Sequence, residues 1–169
     1  MGSGKSTLAR KLSDDLDLPW FELDNVSHRY KGRQRRRRTE EERGRLFAQL
    51  LKRPRWVMED IGRAAFLEAC ERADLILLLD LRRSLCDLRI LTRWIKQKLG
   101  LVYSNYRPTI PMLVALLKWS GQYHRTRKQR YHGLNPYRQK MIILHTRKEV
   151  REFTEQIIDR FRLDGDKNT

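Results

Sequence analysis

Met1-Gly2-Ser3-Gly4-Lys5-Ser6-Thr7 opens the chain, and Leu8, Leu12 and Leu16 follow at helical spacing. These letters are most of the phosphate-binding pattern G-x-x-x-x-G-K-[ST]. In such a loop, glycines let backbone N–H groups surround a phosphate, the lysine reaches the β/γ-phosphates and the hydroxyl holds Mg²⁺. Gly4, Lys5 and Ser6 supply the G-K-S end. The first glycine of the pattern would fall two positions before Met1, and the aliphatic strand that should feed the loop is absent from the chain. Ser6 to Leu16 is expected to be a helix whose dipole and free N–H groups face the phosphate.

Around this loop the composition sets the bounds. A chain of 169 residues is expected to form one domain, running here from residue 1 to 163, with 164–169 as a frayed tail. Its 40% hydrophobic content fits a folded protein rather than a disordered one. The net charge of +16 favours polyanionic partners without choosing among nucleotides, nucleic acid and anionic membrane. Cys70 and Cys86 each lie in an apolar helical pattern and read as buried thiols in a reducing compartment. The aliphatic runs Leu75 to Leu79 and Ile110 to Leu117 are too short to span a bilayer, and no leader precedes the loop, so a cytoplasmic location is expected.

Downstream, Trp20 to Asp24 reads as a short strand that brings Asp24 to its C-terminal tip. Ligands of open parallel sheets bind there, although Asp24 before Asn25 also suits a turn. The basic run from His28 to Arg38 is either a solvated segment or a phosphate or nucleic-acid contact. Thr39 and Glu42 form a capping box for a helix with Leu46, Phe47, Leu50 and Leu51 on its apolar face. Arg55 to Glu59 is a second strand tipped by Glu59-Asp60. A helix faced by Ala65, Phe66, Ala69 and Cys70 comes next, and Leu75 to Asp80 reads as a strand buried on both sides.

Ser84 and Asp87 resemble an N-cap pair for a helix lined by Leu88, Leu91, Ile95 and Leu99. Arg82, Arg83, Arg89 and Arg93 cluster at its start, and guanidinium forks match phosphate oxygens. Thr109-Ile110-Pro111 begins another helix, which leads into Lys118 to Lys128, where basic and aromatic residues alternate. Met141 to His145 is the last strand. Thr146 and Glu149 form a second capping box for a closing helix packed through Val150, Phe153, Ile157 and Phe161. Strands alternating with helices at these intervals indicate a parallel α/β sheet. The histidines show no metal-ligand spacing.

Taken together, Gly2 to Leu12, Glu22 to Asp24, Trp56 to Glu59, Arg72 to Arg83 and Ile143 to Phe153 resemble the nucleoside-monophosphate-kinase-like P-loop proteins. The likeness is to the adenylate-kinase-related group often labelled DNA topology modulation proteins. The resemblance implies a three-layer α/β P-loop NTPase fold with a parallel sheet in the order 2-3-1-4-5, whose first strand this chain lacks. It implies ATP on Gly2, Ser3, Gly4, Lys5, Ser6 and Thr7, and an acceptor near Asp24. Residues 82–131 would form a lid carrying Arg82, Arg83, Arg89 and Arg93, with Mg²⁺ held by Ser6, Asp24 and Glu59.

The resulting expectation is an ATP-dependent phosphotransferase acting on a nucleotide or a small hydroxyl compound, with Lys5, Asp24 and the lid arginines as its catalytic set. Two alternatives stand beside it. One is a nucleic-acid-associated ATP-binding protein gripping a backbone through Arg33 to Arg38 and Lys118 to Lys128. The other is a degenerate P-loop protein without activity. Loss of a central strand would leave its neighbours' backbone groups unpaired, so the chain is further expected to be a late-started form of a longer protein.

Overall fold

A computed structural model describes residues 2–31, 34–103 and 107–166, with Lys31, Arg130 and 164–166 as backbone only. In chain order the elements are α1 (Lys5–Leu16), β1 (Trp20–Glu22), α2 (Leu23–Ser27), β2 (His28–Lys31), β3 (Gln34–Arg37), α3 (Glu40–Leu51) and β4 (Val57–Glu59). A 3₁₀ turn over Ala64–Phe66 leads into α4 (Leu67–Arg72), followed by β5 (Ile76–Leu79), α5 (Arg83–Lys98), α6 (Ile110–Arg125) and α7 (Arg127–Gly133). A second 3₁₀ stretch, Asn135–Lys140, leads into β6 (Met141–Leu144) and α8 (Arg147–Asp166). The chain divides into two compact units. One comprises Lys5–Asp74 with Arg147–Thr169, and the other Met1–Gly4 with Leu75–Thr146.

In the first unit β1 and β4 pair in parallel, Trp20 beside Val57 and Glu22 beside Glu59. Helix α1 packs on both strands and on α8. The unit's core gathers Leu23, Val26, Phe47, Leu51, Phe66 and Ala69, with Leu46, Leu50, Trp56 and Met58 packed against it. Phe47 and Phe66 meet edge to face at 4.8 Å, the geometry that ring quadrupoles favour. The capping box of α3 forms as its letters require. Thr39 Oγ1 accepts from the Glu42 N–H, and the Glu42 carboxylate accepts from the Thr39 N–H. Between the two parallel strands, the basic run folds into an antiparallel hairpin, β2 with β3, in which Tyr30 faces Arg35. Arg33 of that run lies outside the described residues.

In the second unit β5 and β6 pair in parallel, Ile76 beside Met141 and Leu79 beside Leu144. Here three sequence expectations change. The strand β5 is half-buried at Ile76, Leu77 and Leu78 and buried only at Leu79, so it is not enclosed on both faces along its length. Helix α5 begins one residue before Ser84, with Arg82 at the cap and no side-chain cap bond; Asp87 instead accepts from Arg83 Nε at 3.2 Å. The α5 residues turned to the core are Cys86 and Ile90, not the Leu88 stripe. Helix α6 starts as expected, with Thr109 Oγ1 accepting from the Met112 N–H and Pro111 in the first turn.

Both parallel pairs are those of an α/β protein, and among the described residues no strand pairs with both β4 and β5. The closing helix continues through Asp166, beyond the expected boundary at 164, and 167–169 lie outside the described residues. Among the described residues no helix is long and apolar enough to cross a membrane.

Candidate active site

The division between the units crosses the loop after Gly4, so its two halves belong to different units. Gly2 and Gly4 both have left-handed backbone, at φ +71° and +93°, which glycine adopts without a side-chain clash. A Cβ on Gly2 would lie 2.4 Å from the Cys86 carbonyl oxygen, so α5 runs against bare loop backbone. The half-buried guanidinium of Arg89 donates through Nη1 to the Ser3 oxygen at 2.8 Å and the Gly2 oxygen at 3.3 Å. A Cβ on Gly4 would come within 3.1 Å of the same nitrogen. Arg89, expected over the phosphates, thus holds the loop's carbonyls.

The other half, Lys5, Ser6 and Thr7, forms the first turn of α1. Ser6 Oγ donates to Glu59 Oε1 at 2.9 Å, while Glu59 Oε2 is buried and has no hydrogen-bond partner. Burial pushes the Glu59 carboxyl above its ordinary value. The Ser6 hydroxyl and the Lys5 ammonium work against that shift, and the neighbouring Glu22 and Asp60 carboxylates reinforce it. An orphaned, buried carboxylate oxygen beside a loop hydroxyl is a donor set in want of a cation. Mg²⁺ fits it: the ion commonly takes one or two carboxylates and draws its remaining ligands from water and phosphate. Among the described residues no cluster of three or more His, Cys, Asp or Glu could hold a metal by protein groups alone.

Asp60 plays a different part. Its Oδ2 accepts from the Gly62 and Arg63 N–H groups at 2.7 and 2.6 Å, and its Oδ1 from Arg63 Nη1 at 2.8 Å. Asp60 therefore shapes the turn after β4 and aims Arg63, leaving Glu59 as the carboxylate that faces Ser6.

Asp24 lies two residues past the end of β1, in the first turn of α2 rather than in the strand. Tyr30 Oη donates to its Oδ2 at 2.7 Å, Arg63 Nη2 to its Oδ1 at 2.5 Å, and Arg35 Nη2 lies 3.4 Å from Oδ1. His28 Nδ1 stands 3.5 Å from Oδ1. Burial works to raise the Asp24 carboxyl, but the Tyr30 hydroxyl, Arg35, Arg63 and His28 outweigh it and hold the group below its ordinary value. Asp24 is accordingly an ionised hydrogen-bond acceptor and a weak base, suited to orienting a hydroxyl rather than stripping it. Its oxygens are already engaged by cations and a phenol, so of the expected metal residues Ser6 and Glu59 have the open valence.

Arg82 and Arg93 are exposed, and Arg83 pairs with Asp87. Of the two basic stretches, Arg38 is spent on the Asn25 and His28 carbonyls at 2.6 Å each, and Arg35 on Asp24. In Lys118 to Lys128, Arg127 lies 3.4 Å from Asp80, and the His124 ring sits between the Ser120 and Leu81 carbonyls.

Four site residues escaped the sequence reading. Glu22 stands beside Glu59 through the strand register, and its two-residue spacing from Asp24 at a strand end was the available signal. Arg63 was signalled by the Asp60-x-Gly62-Arg63 turn pattern. Tyr30 and His28 carried no local signal, because the hairpin that returns Arg35 beside them is seen only once the chain folds.

No curated protein matches the chain. The family model described as Shikimate kinase matches residues 1–68, a stretch holding the loop, α1, Glu22, Asp24, Glu59 and Arg63. Over those residues the chain is similar to shikimate kinases, and the region they form is of the ATP-binding, P-loop kinase type.

Proposed function

We propose that the protein transfers the γ-phosphoryl group of ATP to a hydroxyl of a small acceptor or nucleotide held beside Asp24. The observation that carries this reading is the Ser6–Glu59 pair, a loop hydroxyl at 2.9 Å from a tip carboxylate whose second oxygen is buried and unpartnered. The match of residues 1–68 to a kinase family supports it, and the family's name gives a hydroxy acid as the acceptor of its own members.

Phosphoryl transfer needs little covalent help from the protein; positioning and charge neutralisation do most of the work. Lys5 presents a cation at the start of α1, where the helix dipole also favours negative charge. Ser6 and Glu59 would hold Mg²⁺, which when bound neutralises charge on the phosphate oxygens. Asp24, kept ionised by Tyr30, Arg35 and Arg63, accepts a hydrogen bond from the acceptor hydroxyl and points its oxygen at the phosphorus. Because the transition state is loose, the hydroxyl need not be deprotonated early, and a weak base suffices. Arg89 acts one step back, as the residue that positions the loop.

The pairs β1 with β4 and β5 with β6 are pairs 2-3 and 4-5 of the order 2-3-1-4-5, which supports that order and the adenylate-kinase-related likeness.

A screen with labelled ATP over nucleoside monophosphates, sugars and small hydroxy acids tests the proposal. Label is expected to transfer to one acceptor class. Lys5→Ala should lower that turnover at least about a hundredfold, the scale of losing one preorganised charge at a transition state, with the melting temperature retained. Unchanged turnover in Lys5→Ala would overturn the assignment.

A further inference from the structure

Helix α5 carries two apolar faces. Cys86 and Ile90 are buried, while Leu88, Leu91, Ile95 and Leu99 form a second stripe at three- and four-residue spacing that is 57, 40, 43 and 67% exposed. The chain continues past the helix end through Val102 and Tyr103, also exposed, and Ile110 at the start of α6 is exposed as well. A folded protein seldom leaves so continuous a patch of large aliphatics in water without a partner.

The charge around the stripe indicates what that partner is. The unit to which α5 and α6 belong holds fourteen Lys and Arg against two acids, Asp80 and Asp87. It therefore carries +12 of the chain's +16. Asp80 is occupied by Arg127 and Asp87 by Arg83, and no acidic residue occurs between Leu88 and Lys148. Lys96 and Lys98 stand exposed on either side of the stripe. A second copy would bring the same positive rim against this one. Nucleic acid would match the charge but gains little from leucine and isoleucine, since bases stack on aromatic rings and guanidinium planes. Aliphatic side chains with a tyrosine following them, rimmed by cations and free of acids, suit the boundary between anionic headgroups and acyl chains.

We propose that the exposed face of α5 and the start of its connection to α6 dock the protein on an anionic lipid bilayer. The aliphatic stripe enters the headgroup region, and Lys96 and Lys98, one on each side of it, meet lipid phosphates.

Co-sedimentation of the full chain with vesicles of phosphatidylcholine alone, and of phosphatidylcholine mixed with phosphatidylglycerol, tests this. The protein should sediment with the mixed vesicles. The double variant Leu91→Ser/Ile95→Ser should partition at least about tenfold less, the factor that corresponds to about 1.4 kcal/mol of lost apolar transfer. Lys96→Gln should lower partitioning about fivefold, the share of one cation at an anionic surface. Both variants change exposed residues, and unaltered melting would show that the fold is intact. Binding to mixed vesicles that the double variant leaves unchanged would overturn the proposal, because charge alone would then explain it. Salt-sensitive binding to DNA or RNA in place of vesicles would also overturn it. So would a dimer that the double variant dissolves while vesicles go unbound.

Discussion

Two carboxylates a few residues from strand ends are driven in opposite directions by their surroundings. Asp24 faces Tyr30, Arg35, Arg63 and His28 and titrates below its ordinary value. Glu59 is buried beside Glu22 and Asp60 and titrates above its own. The consequences for stability have opposite signs. Asp24's contribution is complete above the ordinary aspartate value and is lost as pH falls through its depressed one. Glu59 favours the fold while protonated, and that contribution is lost as pH rises from the unfolded glutamate value through its raised one. A residue kept as a buried, half-partnered anion is a cost that function tolerates. Glu59→Gln should therefore raise the melting temperature at neutral pH while removing metal-dependent phosphotransfer. Thermal melts across pH beside the labelled-ATP assay check both halves, and a variant less stable at neutral pH would contradict the account. Lys5, Ser6, Asp24 and Glu59 were legible as candidates from letters alone, because loop pattern and strand tips are local. The partners that set the charge of Asp24 were not legible, because Tyr30 and Arg35 meet across a hairpin.

Among the elements, α3 shows how far local chemistry reaches. Thr39 and Glu42 satisfy each other's backbone donors, so the helix start is specified by four consecutive letters. Thr39→Ala should lower stability by about 1 kcal/mol, measurable by denaturant titration with an unchanged slope. The same logic did not carry to α5. Ser84 and Asp87 have the spacing of a cap, but the helix starts at Arg83 and Asp87 turns to that arginine. The hairpin β2–β3 was also hidden, since Arg35 to Arg38 gives no apolar alternation by which a strand is recognised. Its pairing rests on partners along the chain, with Arg38 bonding the Asn25 and His28 carbonyls and Arg35 reaching Asp24.

Across the whole molecule, charge is distributed unevenly. The unit of Leu75–Thr146 holds +12 of the chain's +16, and like charges at these densities repel in the folded state. Added salt screens that repulsion over about 10 Å at 0.1 M, so the melting temperature should rise with sodium chloride. A gain of about 1 kcal/mol would appear as roughly 2–4 °C in a scanning melt, and a fall with salt would mean that attractive pairs dominate instead. The amino-acid sequence by itself determined the glycine-containing loop, the helix that follows it, the strand that ends at Glu59, the capping box of α3 and the alternation that makes the protein α/β. Each of these is set by residues within a turn or a strand of one another. Only the tertiary structure decided that Glu22 stands beside Glu59, that Asp24 sits within a ring of cations, and that Arg89 serves the loop's carbonyls. It also decided which of the two apolar stripes of α5 meets the core. Helical spacing shows that a stripe exists, but whether it faces a core or water depends on which distant segment folds against it.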